Sequence, residues 1–193
     1  MTPFTVLTSK LVSMPEPNVD TDQILPAQYV NVQGREALQA ALFCNLKAAK
    51  PNFVLNRPEM RGRSILLAGK NFGCGSSREA AAWALDAGGF RALLCLSFND
   101  TFWNNCVKNG ILPVTTPKTE HQLLLEMAAR DPDLRVTVDL TKNQVSADSG
   151  PSFDISIDRF VRELLLSGTD ELNYLLERMP QIHSYQALQM KKL

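Results

Sequence analysis

The residues best equipped for chemistry sit together in residues 69–79, GKNFGCGSSRE. This run places a thiol (Cys74), two hydroxyls (Ser76 and Ser77), a guanidinium (Arg78) and a carboxylate (Glu79) directly behind Gly73 and around Gly75. Glycines allow positive φ, in which successive backbone N–H groups can converge on an anion. Ser76 followed three residues later by Glu79 is a capping-box pattern, which predicts a helix with Ser77, Arg78 and Glu79 in its first turn. A cation there opposes the helix dipole at roughly 0.3–1 kcal/mol, and a bound carboxylate or phosphate would offset that cost. The plainer alternative is that Arg78 pairs with Glu79 or another nearby acid.

Several chemistries are excluded by spacing. A dinucleotide fingerprint needs a third glycine where Arg78 stands, and a P-loop needs Gly-Lys-Ser/Thr after its four intervening residues. A nucleophile elbow needs a second glycine two residues beyond Ser76. His121 and His183 are the chain's two histidines, which leaves little material for a hydrolase triad. Cys74 before a helix start could be an activated thiol, although small apolar packing suits it as well. The four cysteines, Cys44, Cys74, Cys95 and Cys106, contain no C-x-x-C pair, so neither a zinc knuckle nor an iron–sulfur cluster is read from them. They are expected to be reduced and mostly buried. Upstream, Asp20 and Asp22 flank Thr21 too closely for an EF-hand loop and suit turn capping through side-chain to backbone hydrogen bonds.

The elements that position the loop can be read from periodicity. Residues 64–68 form an apolar run of strand type and an alanine-rich helix follows the loop, so the loop lies at the carboxyl end of a strand. Residues 90–98 (FRALLCLSF) read as a buried strand, Asn99 or Asp100 as the cap of a helix ending at Gly110, and ILPV as the next strand. That alternation predicts a mainly parallel sheet with right-handed crossovers. Residues 1–12 read as a strand or strand pair, and residues 27–51 contain helical spacing at Leu38, Leu42, Phe43 and Leu46. A helix over residues 121–130 ends at Asp131-Pro132. Beyond it the period changes to two in LRVTVDL, NQVSAD and SFDISI, three antiparallel strands over about 134–157. Helices are expected at 158–167, 169–179 and 181–191, separated at Ser167-Gly168 and Pro180, with His183 on the surface or in packing and Lys191-Lys192 in a solvated tail.

Composition bounds the rest. The chain has 193 residues, 20 basic and 20 acidic side chains and 45% hydrophobic content, enough for one soluble domain with a real core. Zero formal charge gives no electrostatic case for nucleic acid or a membrane surface. No apolar run approaches the ~20 residues of a membrane span, and the N-terminus lacks a signal pattern, so a cytoplasmic protein is expected.

Three stretches together resemble one family. Residues 69–79 (GKNFGCGSSRE), residues 18–26 (NVDTDQILP) and residues 97–114 (SFNDTFWNNCVKNGILPV) resemble, in order and spacing, the small subunits of 3-isopropylmalate dehydratase, which are similar to the swivelling domain of aconitases. The resemblance spans most of residues 1–115. It implies an α/β fold: a single swivelling β/β/α domain over residues 1–193, with a mainly parallel central sheet, flanking helices and an antiparallel β segment. It also implies a hydro-lyase that isomerises 2-isopropylmalate to 3-isopropylmalate in leucine biosynthesis. No cofactor is expected in this chain; a [4Fe–4S] cluster is expected in a large partner subunit, in a heterodimer or heterotetramer acting on a small dicarboxylate.

By the same resemblance Ser76 is the base for the carbon-bound proton, and Ser77, Arg78 and Arg35 bind substrate. Asp20, Thr21, Asp22, Asn71, Gly73, Gly75, Glu79 and Asn105 support them, and no residue is a metal ligand. On the residues alone, Arg35 reads equally as an exposed first-turn arginine. Three departures from the family pattern stand out: Ala80 where a histidine usually follows Arg-Glu, Glu36-Ala37-Leu38 in place of Thr-Gly-Phe after the arginine, and residues 168–176 (GTDELNYLL) against G-L-D-x-I-G-L-T-L. They keep open a related hydro-lyase for homoaconitate, citraconate or dimethylmalate, and a non-catalytic anion-binding module on the same fold.

Overall fold

In the computed structural model, which describes residues 1–190, three apolar runs become short strands, β2 (Ile65–Ala68), β3 (Ala92–Cys95) and β4 (Leu112–Thr115), buried throughout except at Thr115. Strands buried on both sides read as continuous hydrophobic runs, and these three do. They pair in parallel, with β2 beside the end of β1 (Val6–Met14) in the register Leu11↔Ile65 to Met14↔Ala68. The first half of β1 pairs on its other side, antiparallel, with β5 (Arg135–Asp139) from Val6↔Asp139 to Lys10↔Arg135. β6 (Gln144–Ala147) and β7 (Ser152–Asp154) continue the antiparallel run. The sheet is therefore mixed and seven-stranded, in the order β4-β3-β2-β1-β5-β6-β7, and the antiparallel strands extend the parallel ones. The expected strand or strand pair at the N-terminus is one nine-residue strand that belongs to both halves.

Alternate residues of the strands feed two cores. Val12, Leu66, Ala68, Leu93 and Cys95 pack with α1 (Thr21–Ile24), α2 (Arg35–Ala41) and α4 (Glu79–Ala87). Leu11, Ile65, Leu67, Leu94 and Val136 pack with α6 (Lys118–Arg130) and α7 (Arg159–Ser167). α3 (Cys44–Ala49) follows α2, α5 (Asp100–Lys108) joins β3 to β4, and α8 (Glu171–Glu177) and α9 (Met179–Met190) complete the described chain. Among the described residues no helix is long and apolar enough to cross a membrane.

Two local expectations change, and one cannot be followed. The helical spacing around Leu42 is split because Phe43 adopts a left-handed conformation (φ 52°), donates its N–H to the Ile24 carbonyl at 2.8 Å and buries its ring. Pro180 does not separate two helices; it is the second residue of α9, where a missing N–H costs nothing. Lys191-Lys192, the expected solvated tail, lies outside the described residues.

Candidate active site

β1, β2 and β3 run in the same direction, so the segments that leave their carboxyl ends meet, and they hydrogen-bond as an irregular continuation of the sheet. The segment after β2 lies in the middle. On one side it meets the segment after β1: Asn18 N–H reaches Lys70 O (2.9 Å), Gly73 N–H reaches Val19 O (2.8 Å) and Thr21 N–H reaches Cys74 O (2.9 Å). On the other it meets the segment after β3 through Phe72 N–H to Ser97 O (3.0 Å), Asn99 N–H to Phe72 O (3.0 Å) and Asn71 N–H to the Ser97 hydroxyl (2.8 Å). Phe72 anchors the segment, edge-on to Phe98 and to the fully buried Phe102 at centroid separations of 6.5 and 5.6 Å.

Two glycines are dictated by this threading. Gly73 has φ 73° and lies so close to the Phe102 ring that a methyl group at its Cα would overlap it. Gly75 has φ 87° beside Asp20 and Thr21. Asn71 also takes positive φ (57°), which asparagine tolerates, and its amide donates to the Asn18 side chain at 2.9 Å.

The predicted helix start is displaced. Thr21, buried under the loop, donates its hydroxyl to Ser76 O at 2.8 Å, and the chain stays extended through Arg78 (φ −136°, ψ 111°), so α4 begins at Glu79. Ser76 is therefore not the N-cap, and the Ser76–Glu79 capping box does not form. Arg78 occupies the cap position and no side chain caps the helix, which leaves its first N–H groups open to a ligand. Ser76 and Ser77 stand exposed ahead of them. The capping box of this region is Asp20–Gln23: the Asp20 carboxylate accepts from Gln23 N–H (2.7 Å) while Gln23 Oε1 accepts from Asp20 N–H (3.1 Å). Asp20 thus plays the turn-capping part foreseen for it.

Arg78 is held by a nearby acid, as the plainer alternative had it, and that acid is Asp22 rather than Glu79. The guanidinium hydrogen bond holds the Asp22 carboxyl below the usual carboxylate range. A depressed folded-state value means that the pair stabilises the fold above the ordinary aspartate range of about 4 and is lost as pH falls through the lower value. Asp22 is half exposed, so the contribution is small. One Arg78 nitrogen serves this pair, and the rest of the fork's donors have no hydrogen-bond partner among the described residues. Glu79 accepts from Asn109 Nδ2 (3.2 Å), which also donates to the Asn105 carbonyl (2.8 Å); Asn105 itself is buried on α5. Cys74 is a poor candidate for an activated thiol, because burial and the neighbouring Asp20 push it up and keep it protonated.

A cavity of about 480 Å³ opens beside this loop, lined by Ser77, Arg78, Val30, Val32 and Trp83 among others. The turn carrying Val30 and Val32 gave no sequence signal, since its proximity to Arg78 spans nearly 50 residues of chain, and Trp83 lies five residues beyond Arg78 on α4. Ala80 also lines it yet is only 4% exposed, so the departure at this position bears on packing as much as on the site. His121 was unforeseen as well: it is buried and its Nε2 lies 2.8 Å from the carbonyl of Ala68, the last residue of β2 before the loop.

Arg35 is not brought to the loop. It starts α2 and makes two bonds of 2.6 Å to Asp86, one to the carboxylate and one to the main-chain carbonyl. Asp86 and Arg78 are separated by the length of α4, about 12 Å at 1.5 Å per residue. Among the described residues no three His, Cys, Asp or Glu side chains gather as a metal site, and the two buried thiols, Cys95 and Cys106, are pushed well up by burial. A cluster does not fit these residues.

Nearly the whole chain matches known proteins in sequence. It is 43% identical over 187 residues to the 3-isopropylmalate dehydratase small subunit of Solibacter usitatus, covering 97% of this chain and 95% of that one. The chain belongs to the 3-isopropylmalate dehydratase small-subunit family. The small subunit of Roseiflexus castenholzii is 42% identical over 192 residues, with 97% and 94% covered. Residues 1–119, which include every candidate site residue, match the family described as the Aconitase C-terminal domain. The crystal structure of a 3-isopropylmalate dehydratase from Methanocaldococcus jannaschii superposes with a TM-score of 0.68 at 26% identity, over 94% of this chain and 99% of that one. The small-subunit family thus accounts for the α/β architecture along the described chain, including the strands and helices beyond residue 119.

Proposed function

We propose that this chain is the small subunit of a two-subunit hydro-lyase that interconverts 2-isopropylmalate and 3-isopropylmalate in the cytoplasm, for leucine biosynthesis. The observation that carries the reading is the loop at the strand ends: two exposed serines and an arginine set ahead of an uncapped helix N-terminus, in a chain about 43% identical along nearly its full length to a small subunit of that dehydratase. In this reading Ser76 takes the proton from carbon. A serine hydroxyl is a weak base unless its alkoxide is stabilised, and the open N–H groups of α4 with the Arg78 guanidinium supply that stabilisation. Arg78 and Ser77 hold a substrate carboxylate, while Asp22 keeps the guanidinium beside them. Thr21, Asp20, Gly73 and Gly75 fix the loop's path, with Asn71, Glu79 and Asn105 behind it. A [4Fe–4S] cluster would belong to the large partner and act as the Lewis acid for the hydroxyl group; no step on this chain runs through it.

Arg35 joins the site only by leaving Asp86. A surface ion pair of this kind is worth roughly 0–1 kcal/mol, less than the roughly 1.5–3 kcal/mol of a charge-assisted hydrogen bond to substrate. Arg35→Ala is accordingly expected to raise KM about tenfold or more with the fold intact, as measured by steady-state kinetics of the complex. An unchanged KM removes Arg35 from the site.

The direct test of the two-subunit reading is add-back. Purified alone, the chain should be colourless, without the broad visible absorption of an iron–sulfur protein, and should not dehydrate 2-isopropylmalate. Activity should appear on adding a cluster-bearing large subunit, and turnover by the isolated chain would refute the proposal.

A further inference from the structure

A second cavity, of about 430 Å³, lies at the opposite end of the parallel strands from the loop, where Arg63 precedes β2 and Phe90 precedes β3. Its charged lining consists of Lys47, Arg61 and Arg63, with no aspartate or glutamate. Its floor is the edge of the core: Leu42, Met60 and Phe90 are 3%, 9% and 2% exposed.

The three cations are not equivalent. Arg63 is buried and fully engaged, donating to the carbonyls of Leu11 (2.6 Å), Pro132 (2.7 Å) and Glu59 (3.0 Å), with Asp133 at 3.7 Å. The Lys47 ammonium and the Arg61 guanidinium make no ion pair or hydrogen bond among the described residues. Lys47 is half-buried at the end of α3, and burial depresses its ammonium below the usual lysine range. Partly desolvating a cation without a counter-charge is unfavourable, and an anion in the cavity would offset it. The apolar floor adds a preference that a bare inorganic anion does not satisfy, since a hydrocarbon chain laid on it leaves water.

We propose that this cavity is a binding site for a small aliphatic carboxylate, whose head group pairs with Lys47 and Arg61 and whose chain rests on Leu42, Met60 and Phe90. It is distinct from the loop, which lies at the other end of the sheet, and it does not depend on the hydro-lyase reading.

The test is calorimetric titration of the full chain with 4-methylpentanoate at low ionic strength. The expected result is saturable binding of one equivalent, weakened about tenfold or more by Lys47→Gln, which removes a charge-assisted contact, and lost in the Lys47→Gln/Arg61→Gln double variant. The neutral 4-methylpentanamide should not bind, and inorganic phosphate should bind more weakly than the carboxylate. Neither side chain makes an ion pair or hydrogen bond among the described residues, and circular dichroism checks the fold. Absence of saturable binding overturns the proposal, as does equal binding of the amide or of phosphate. Binding that survives in the double variant and vanishes in Arg78→Ala would place the probe in the loop, which also overturns it.

Discussion

Ser76→Ala in the reconstituted complex is expected to lower kcat by at least about 10²-fold, the usual loss on removing a general base, while KM stays nearly unchanged. The structure sharpens this expectation. Were Ser76 the helix cap that its spacing suggests, its loss would cost about 0.5–2 kcal/mol of stability and little turnover. It is not the cap: α4 starts at Glu79, and Ser76 contributes to the fold through its main-chain carbonyl, which Thr21 holds at 2.8 Å and which alanine retains. The thermal midpoint should therefore hardly move. A Ser76→Ala complex with full turnover would remove the residue from the chemistry.

Gly73→Ala is expected to be the most damaging single change to the loop. An alanine at φ 73° carries a left-handed penalty of about 1–2 kcal/mol. Its methyl group would enter the space of the Phe102 ring, which is buried and braced by Phe72, adding an overpacking cost of about 1–3 kcal/mol. The sum, about 2–5 kcal/mol, corresponds in a chain of this size to a Tm lower by roughly 4–20 °C. Because relief requires the backbone between Phe72 and Ser76 to shift, turnover should fall too, as misplacement by about 1 Å costs about 10²-fold. Thermal melts and kinetics on the same preparation check both parts; wild-type values for each would mean that the loop's path is not fixed as described.

What the sequence carries and what it hides divide along the range of the forces involved. Apolar runs and period-two alternation identify β2 through β7 because burial on one or both faces is written in neighbouring residues. Asn99 capping α5 and Gly110 beyond its end are equally local. The start of α4 is not local: serine at position 76 is a good cap by type, but Thr21, 55 residues away, claims its carbonyl and keeps the chain extended. The break at Phe43 depends on a hydrogen bond to Ile24, and the burial of His121 on contact with Ala68. In the site, the loop and its aspartates are adjacent through backbone bonds that no spacing rule displays. Arg35 is tied to Asp86 across 51 positions, so its place at the far end of α4 could only be seen in three dimensions.

The departures at Ala80 and after Arg35 concentrate the remaining question on the substrate. Ala80 packs into the core, and residues 30–33 with Trp83 form the wall that faces Arg78. The same cavity is lined by the apolar Val30, Val32 and Trp83 and by the polar Asn31 and Gln33, and in the function proposed above the apolar members would meet the alkyl substituent of the substrate.

Substrate profiling of the assembled two-subunit complex tests the proposed activity most directly. Rates are compared for 2-isopropylmalate, homoaconitate, citraconate and dimethylmalate, with 3-isopropylmalate followed as product. The highest kcat/KM is expected for 2-isopropylmalate, with accumulation of 3-isopropylmalate. Preference for another of these substrates, or no turnover of any of them by a complex with an intact cluster, would contradict this activity.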